Sequence, residues 1–280
     1  MQIAYKERLL HTFGMWDEVH TIATPMLPGT CLVKADCFDT PSPTLQRSYC
    51  SIVGSISYLV QMTRCDMAVA YGQLSLFLGL HNPGPVHMAA AERALAYVQG
   101  THDQGLSCCD PGAENCNVLT GWIDSDFAAD SDTRRSVIEY IISLHGKERI
   151  QLESVVVMLS SEAEYVAASA VAQENAYPRA LLSGLDRSTL GPTCVWEDNA
   201  AYILMSENPV NRDRIRHVEV KFHFLRERVR AGKINLYNCW GPLNVADAMT
   251  KSLPGSAFHK HAPFMHGTRS PHRPFTDPGS

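Results

Sequence analysis

The spacing of apolar residues changes near residue 117, and this change constrains the fold more than any other feature of the chain. Before it, apolar side chains recur at helical spacing, as in the stretch from Tyr49 to Val60. After it, short apolar runs of strand length alternate with helical segments. Strands and helices in this order must pack as layers, so the sequence predicts a mainly helical region followed by an α/β domain.

The first part of the chain is predicted to be helical. A short amphipathic helix is expected within residues 1–20, and a proline-rich extended linker over 24–45. Pro85 suits a first helical turn and Gly100 suits a helix end, so these two residues bound one predicted helix. Two further helices are predicted, one on the Tyr49–Val60 stripe and one over Asp66–Leu80.

The second part is predicted to form a mixed sheet of five strands with flanking helices. The predicted strands are Val118–Asp124, Val137–Leu144, Val155–Leu159, Thr193–Asp198 and Ile234–Trp240. The predicted helices are an alanine-rich one from Glu162, a short one after Asn199, one over His217–Ala231 and one opened by Asn244. The expected domains are a helical region over 1–114, an α/β domain over 117–254 and a polar tail over 255–280.

Composition excludes several classes of protein. The 280 residues are 45% hydrophobic and 19% charged, which is typical of a globular protein. We expect no membrane partner and an intracellular location, cytoplasmic or nuclear, because we find no long apolar run and no signal peptide. Nine cysteines without a CxxC pair favour neither disulfides nor a zinc site. Four histidines near the C-terminus are interpreted as part of the polar tail: His259, His261, His266 and His272.

Four carboxylates lie at the ends of predicted elements: Asp124, Glu164, Asp198 and Asp247. Each has a local explanation, since Glu164 and Asp247 fit the first turn of a helix and the other two fit turns after strands. If the sheet brought them together, each pair of bare charges about 4 Å apart would repel by about 4 kcal/mol at an effective dielectric constant near 20. A bound Mg²⁺ or Mn²⁺ would relieve that repulsion, and two such ions could hydrolyse a phosphodiester. Both interpretations stay open at this point.

Several motifs together resemble one family. LSSEAEYVAASA, VWEDNAAYILMSENPV, RIRHVEVKFHFLRERV and VADAMTKSLP resemble the ribonuclease H domain of copia-type retrotransposon Pol polyproteins, and WIDSDFAADSDTRRS resembles its first-strand motif. YCSIVGSISYLVQMTRCDMA and HMAAAERALAYVQGT are similar to the region that follows the palm of the family's reverse transcriptase. The resemblance keeps the family's order and covers roughly residues 3–267.

The resemblance implies a ribonuclease H-like fold and a two-metal nuclease. Asp124 would bridge two Mg²⁺ or Mn²⁺ ions, Asp247 would share the water-side ion, and Glu164 with Asp198 would hold the other; Asp126 is the rival of Asp124. The implied reaction is hydrolysis of the RNA strand of an RNA–DNA hybrid, leaving a 3′-hydroxyl and a 5′-phosphate. The implied partners are that hybrid and the rest of a polyprotein.

A basic segment, Asn211–Lys233, holds eight Arg and Lys residues against three acidic ones. Its side chains could form a solvated helix face, or they could follow the phosphates of a hybrid. The candidates for phosphate contact are Arg212, Arg214, Arg216, Lys221, Arg226 and Arg230.

The chain also departs from the family pattern. The reverse-transcriptase active site of the family carries an Asp-Asp pair in a Tyr-x-Asp-Asp turn. This chain has no Asp-Asp dipeptide, so we expect no polymerase activity. Cys65 replaces a usual proline and Glu139 stands where glycine is usual. Pro178 falls in the predicted alanine-rich helix, where an interior proline costs about 3 kcal/mol or kinks the helix. These changes favour the alternative that the chain is a catalytically degenerate remnant that at most binds nucleic acid.

Overall fold

The computed structural model describes residues 2–17, 22–79, 82–107, 117–126, 132, 137–145, 163–187, 189, 191–199 and 219–268. The chain divides into two compact units. The first unit contains Met1–Ser107 and Lys251–Thr268, and the second contains Cys108–Thr250 with Arg269–Ser280. Among the described helices, none combines the length and the apolar character that a membrane crossing requires.

The elements follow one another in this order. The first unit begins with α1 (Ile3–Thr12), α2 (Pro43–Met62), α3 (Ala68–Ser75) and α4 (Pro85–Gly100). The second unit contains β1 (Val118–Asp126), β2 (Val137–His145), α5 (Ala163–Glu174), α6 (Ala176–Gly184), β3 (Thr193–Glu197), α7 (Glu219–Arg230), β4 (Ile234–Asn238) and α8 (Asp247–Thr250). The last described helix, α9 (Gly255–Met265), belongs to the first unit.

The helices of the first unit confirm most of the predicted pattern. The apolar stripe of α2 is buried, from Tyr49 to Leu59. Helix α4 begins at Pro85 and ends at Gly100, as the two terminal residues predicted. Proline is suited to this start because the first backbone N–H groups of a helix have no acceptor within it.

The start and the end predicted for the helix over Asp66–Leu80 are both wrong. The structure has a tight 3₁₀ turn at Cys65–Met67 and then α3, Ala68–Ser75. At the start, the side chain of Asp66 is buried in a paired arrangement with Arg64, which holds this stretch in a turn. At the end, the backbone N–H groups of Phe77 and Leu78 donate to the carbonyls three residues before them, as in a 3₁₀ turn. Gly79 follows with a φ of 81°, which is not a helical conformation.

The sheet of the second unit has the order β2-β1-β3-β4. Strand β1 is antiparallel to β2 and parallel to β3, and β3 is parallel to β4. Helix α5 packs on one face, where Leu119, Ile123, Val171 and Val195 form part of the core. The predicted α/β fold with a mixed sheet and flanking helices is therefore confirmed. The strand predicted at Val155–Leu159 and the short helix after Asn199 lie outside the described residues.

The sequence predicted that Pro178 lies inside one long alanine-rich helix, but the structure has two helices, α5 and α6, in its place. The helix is interrupted after Glu174, and Pro178 is the third residue of α6. A first-turn proline lacks only an N–H group that has no acceptor within its own helix. Asn175, between the two helices, keeps helical backbone angles of φ −61° and ψ −19°, so the hydrogen-bonding pattern is interrupted for one residue three positions before Pro178.

The C-terminal part of the described chain also differs from expectation. Asn244 does not open a full helix, because a turn at Gly241–Leu243 precedes it and α8 has only four residues. Residues 255–265 form α9 instead of a polar tail, and α9 buries Phe258, Phe264 and Met265. Its end is held in the first unit, where the backbone N–H of Ser107 donates to the carbonyl of His266 at 2.7 Å.

Candidate metal centre

The register of the sheet brings two of the predicted carboxylates to one edge. Trp122 of β1 and Trp196 of β3 are partners in the parallel pair. Because side chains alternate between faces, the residues two positions further on point to the same face at the next level of the sheet. Those residues are Asp124 and Asp198, so the parallel pairing explains why they meet.

The third carboxylate is brought to this edge by a buried asparagine. The side-chain Nδ2 of Asn244 donates to the carbonyl of Ile123 at 2.8 Å, and its Oδ1 accepts from the backbone N–H of Ala246 at 3.1 Å. Asp247 opens α8 just after this anchor, and the hydroxyl of Thr250 at the other end of α8 donates to Oδ2 of Asp124. Asn244 and Thr250 therefore fix α8 against β1.

The result is a cluster of three aspartates. One carboxylate oxygen from each of Asp124, Asp198 and Asp247 lies within 4.8 Å of the other two. Asp124 is only 3% exposed and the other two are half-buried. Opposite oxygen ligands of an octahedral Mg²⁺ are about 4.2 Å apart, twice a bond of about 2.1 Å. Three hard oxygen donors at this spacing fit such an ion after a small adjustment of side chains.

Two buried glutamates lie beside the cluster. Glu139 is directly opposite Asp124 in the β1–β2 pair and is 4% exposed. Glu197 accepts through Oε1 from the backbone N–H groups of Asp198, at 3.1 Å, and Asn199, at 3.3 Å. These two hydrogen bonds to Glu197 fix the turn that carries Asp198. The sequence did not assign either glutamate to the site, although the pairing of the first two strands was a signal for Glu139.

The thiol of Cys239 reports the electrostatics of this edge. Its backbone N–H donates to the carbonyl of Glu197 at 2.8 Å, and its side chain is buried. Burial raises the pKa of Cys239 to about 12, and the negative charges of Asp198, Glu197, Asp247 and Asp124 act in the same direction. Burial is the larger cause of this raised pKa, and the four carboxylates add to it, so all four lie close enough to act on the thiol of Cys239.

The next two residues of the chain shape the rim. A Cβ atom on Gly241 would lie 3.4 Å from Oδ2 of Asp198, an ordinary van der Waals distance, so Gly241 lies beside the cluster. The indole of Trp240 is 66% exposed. From the sequence, Trp240 was assigned to the last predicted strand and was not identified as an exposed residue.

The other predicted site residues are only partly described. Glu164 is the second residue of α5 and Asp126 is the last residue of β1, but the side chains of both are outside the described part of the chain. Arg212, Arg214 and Arg216 lie outside the described residues, and Lys221 is described only as part of the backbone of α7. On the same helix, Arg226 is half-buried and Arg230 is exposed.

Comparison with solved structures gives weak likenesses. An RNase H1 isolated from compost is 16% identical to this chain, with a TM-score of 0.35, over 51% of this chain and 97% of that enzyme. No family model matches the chain.

The relatives found among curated proteins include Pol polyproteins of plant transposons. The retrovirus-related Pol polyprotein from transposon TNT 1-94 of Nicotiana tabacum is 31% identical over 265 residues, which are 92% of this chain and 19% of the polyprotein. The corresponding polyprotein from transposon RE1 of Arabidopsis thaliana is 32% identical over 254 residues, 89% of this chain and 17% of its own length. The chain thus spans less than a fifth of these relatives. Because the identity extends over nearly all of the chain, the chain belongs to the retrovirus-related Pol polyproteins of transposons.

Proposed function

We propose that this chain is a metal-dependent, ribonuclease H-type endonuclease that hydrolyses the RNA strand of RNA–DNA hybrids. The observation that carries the proposal is the convergence of Asp124, Asp198 and Asp247 within 4.8 Å at one edge of the sheet. Aspartates so close, one of them almost completely buried, need a cation or protons to be stable together. Hard oxygen donors of this kind select Mg²⁺ or Mn²⁺.

In this proposal the three aspartates, with Glu164, hold two ions. Bound ions of this type polarise a phosphodiester and make water a better nucleophile. The chain's own residues orient the ligands: Thr250 donates to Asp124, and the backbone N–H of Asp198 donates to Glu197. Asn244 keeps Asp247 in place through its bonds to Ile123 and Ala246. The products would carry a 3′-hydroxyl and a 5′-phosphate.

The direct test is the variant Asp198→Asn. It keeps the size of the side chain and removes its charge, so we expect hybrid cleavage to fall at least about hundredfold, since even indirect supports of a metal site cost 10–100-fold. Cleavage of a labelled hybrid is measured with Mg²⁺ and with Mn²⁺, and Mn²⁺ binding is measured by calorimetry. A weaker Mn²⁺ affinity should accompany the loss of cleavage.

Asp186→Asn is the matched control for this change. Asp186 is exposed in the same unit and has a φ of 55°, a conformation that asparagine also adopts readily. We expect this control to cleave and to bind Mn²⁺ like the unchanged chain. Equal cleavage by Asp198→Asn and Asp186→Asn would overturn the proposed role of the cluster.

One observation favours a second candidate, a degenerate domain that binds nucleic acid without cleaving it. Glu139 places another buried carboxylate directly opposite Asp124, at a position where the family resemblance leads us to expect glycine. Its side chain adds both bulk and negative charge at the edge where a phosphodiester would have to approach.

The variant Glu139→Gly tests this candidate. If the unchanged chain binds a hybrid without cleaving it, the glycine variant should gain Mg²⁺-dependent cleavage. Glu139→Gln keeps the bulk and removes the charge, so comparison of the two variants separates the two effects. Absence of a gain in both variants would remove Glu139 as the cause of inactivity, whereas robust cleavage by the unchanged chain would exclude the degenerate alternative.

A further inference from the structure

A second concave site lies in the α/β unit, away from the aspartates. Its cavity of about 540 Å³ is bounded by α5, α6 and the turn between α7 and β4. Small-molecule sites typically have about 300–1,000 Å³, so the cavity is large enough for a ligand. Ile234, the first residue of β4, lines the cavity. The hydroxyl of Thr193, the first residue of β3, donates to the side-chain oxygen of Asn175, which also lines the cavity. It therefore opens at the edge of the sheet opposite to Asp198, which follows the end of β3.

The charge of this cavity is one-sided. Arg179, Arg228 and Lys233 line it, and its described lining contains no carboxylate. The pattern is the reverse of the aspartate edge, where three carboxylates converge. A cavity with three cationic side chains favours an anion.

Arg179 is held in a fixed orientation. Its Nη1 donates to the hydroxyl of Thr189 at 2.8 Å, and its Nη2 donates to the carbonyl of Gly191 at 2.8 Å and to the hydroxyl of Thr193 at 3.0 Å. All of these acceptors are uncharged, and the buried Nε–H has no hydrogen-bond partner within the described residues. Burial lowers the pKa of Arg179. A guanidinium keeps its charge under such conditions, so a nearby anion would stabilise it.

The other two cations are also positioned. The guanidinium of Arg228 lies over the ring of Phe224, 4.9 Å from its centroid. The backbone N–H of Lys233 donates to the carbonyl of Arg228 at 3.0 Å, and its own carbonyl accepts from Thr193 at 2.9 Å. The turn that joins α7 to β4 therefore holds Arg228 and Lys233 on one wall, while Arg179 of α6 occupies another.

We propose that this cavity binds the phosphate group of a phosphorylated ligand. Two guanidinium groups can present pairs of parallel donors that match the oxygens of a phosphate, and the lysine adds a point charge. The volume exceeds what one phosphate needs, so the phosphate is part of a larger molecule, either a free nucleotide or a nucleic-acid strand. This site does not depend on metal binding or hydrolysis at the aspartates.

Titration of the full chain in metal-free buffer tests the site. Inorganic pyrophosphate and adenosine monophosphate are titrated by calorimetry at about 0.15 M ionic strength, where non-specific attraction is largely screened. Removal of metal prevents an anion from binding to the aspartates through a cation. We expect saturable binding that weakens about tenfold in Arg228→Gln and in Lys233→Gln. Arg179→Gln should weaken it as well, but this arginine also ties α6 to β3, so the other two variants carry the test.

Arg187→Gln is the matched control, because Arg187 belongs to the same unit, is exposed and does not line the cavity. The same variants are then tested for affinity to a short hybrid. Loss of affinity for both the small anions and the hybrid identifies a nucleic-acid strand as the source of the phosphate, whereas loss for the small anions alone identifies a free nucleotide. Absence of saturable anion binding, or an equal loss in Arg187→Gln, overturns the proposal.

Discussion

At the scale of single residues, the first unit is organised around a buried ion pair. Arg64 and Asp66 are both completely buried side chains, and Nε and Nη2 of Arg64 donate to the two carboxylate oxygens at 2.9 Å. The hydroxyl of Tyr97 also donates to Asp66, at 2.8 Å. Burial alone would raise the pKa of Asp66, but Arg64 and His266 hold it well below its usual range. Removal of one partner of such a pair typically costs about 3–5 kcal/mol.

Lys6 lies near this ion pair, and its titration provides a prediction. Its Nζ donates to the carbonyl of Gln104. Burial, followed by the charge of Arg64, lowers the pKa of Lys6 from 10.5 to about 8. Between pH 8 and 10.5 the unfolded chain holds more protons at this site than the folded chain. The contribution of Lys6 therefore makes the free energy of unfolding rise with pH across that window.

The variant Lys6→Met should remove this rise. Denaturant unfolding of both proteins is measured between pH 7 and pH 10.5, and the difference between them isolates Lys6 from the cysteines and tyrosines that titrate in the same window. The free energy of unfolding of the unchanged chain should increase relative to that of Lys6→Met as the pH increases. A constant difference across the window would contradict the lowered pKa.

The residues differ in how far they could be predicted. Asp124, Asp198 and Asp247 could be selected because each lies at the end of a recognisable element. The further hydrogen-bond partners of the buried ion pair could not, because Tyr97 is 31 residues from Asp66 and Thr101 is 37 residues from Arg64. Nothing local marks such partners, since their proximity depends on how α4 packs against α2.

At the scale of elements, α8 depends on one buried side chain. Helix α8 has only four residues, too few to be stable alone, so its position depends on its contacts with β1. Asn244 supplies two of the hydrogen bonds that hold the segment there. The element that carries Asp247 is thus placed by tertiary contacts more than by its own helical preference.

The variant Asn244→Ala should therefore weaken metal binding at the proposed site, although Asn244 is not itself a proposed ligand. We expect it to cost about 1–3 kcal/mol of stability through the unpaired carbonyl of Ile123. We also expect a loss of about 10–100-fold in Mn²⁺ affinity, as for other residues that orient metal ligands. Calorimetry with Mn²⁺ and denaturant unfolding provide the two measurements.

Asn235→Ala is the matched control. Asn235 on β4 also donates through its side chain, to the hydroxyl of Tyr237 at 3.2 Å, but this bond is exposed. It should leave the Mn²⁺ affinity unchanged. Unaltered affinity in Asn244→Ala as well would show that Asp247 does not need this anchor.

Elements with strong terminal signals were predicted well, and those shaped by tertiary contacts were not. Pro85 and Gly100 determine both ends of α4 through backbone chemistry that the sequence displays. In α3, by contrast, the buried Arg64–Asp66 pair sets the start, and the predicted span was wrong. Pro178 was recognised as a helix breaker, but the break after Glu174 and a new first turn make it compatible with α6.

At the scale of the whole molecule, the first unit is discontinuous in sequence. Lys251–Thr268 follows the α/β unit along the chain and yet belongs to the same compact unit as Met1–Ser107. The buried side chains of α9 and the contact between the thiol of Cys65 and the carbonyl of Met265, at 3.3 Å, account for this. The sequence predicted a tail here because the abundant histidines and prolines masked the apolar face.

A chain ending at Thr250 should therefore damage one unit and leave the other intact. We expect the helical unit to lose its cooperative unfolding transition, because Phe258, Phe264 and Met265 are removed from its core. Mn²⁺ affinity should be retained, since Asp124, Asp198, Asp247 and Thr250 are all present. Calorimetric unfolding and Mn²⁺ titration measure the two effects.

A chain ending at Thr268 is the control, because it keeps every described residue of the helical unit. Its unfolding should match that of the full chain. An intact helical transition in the chain that ends at Thr250 would contradict the role of α9.

The discontinuity of the first unit has a consequence for biosynthesis. A ribosome releases the chain from its N-terminus, so α1 to α4 emerge long before α9 does. During that interval residues 108–250 of the α/β unit are made, while the first unit still lacks α9. The first unit is therefore completed only after residues 108–250 have been made, and a premature stop codon before residue 251 leaves it without α9.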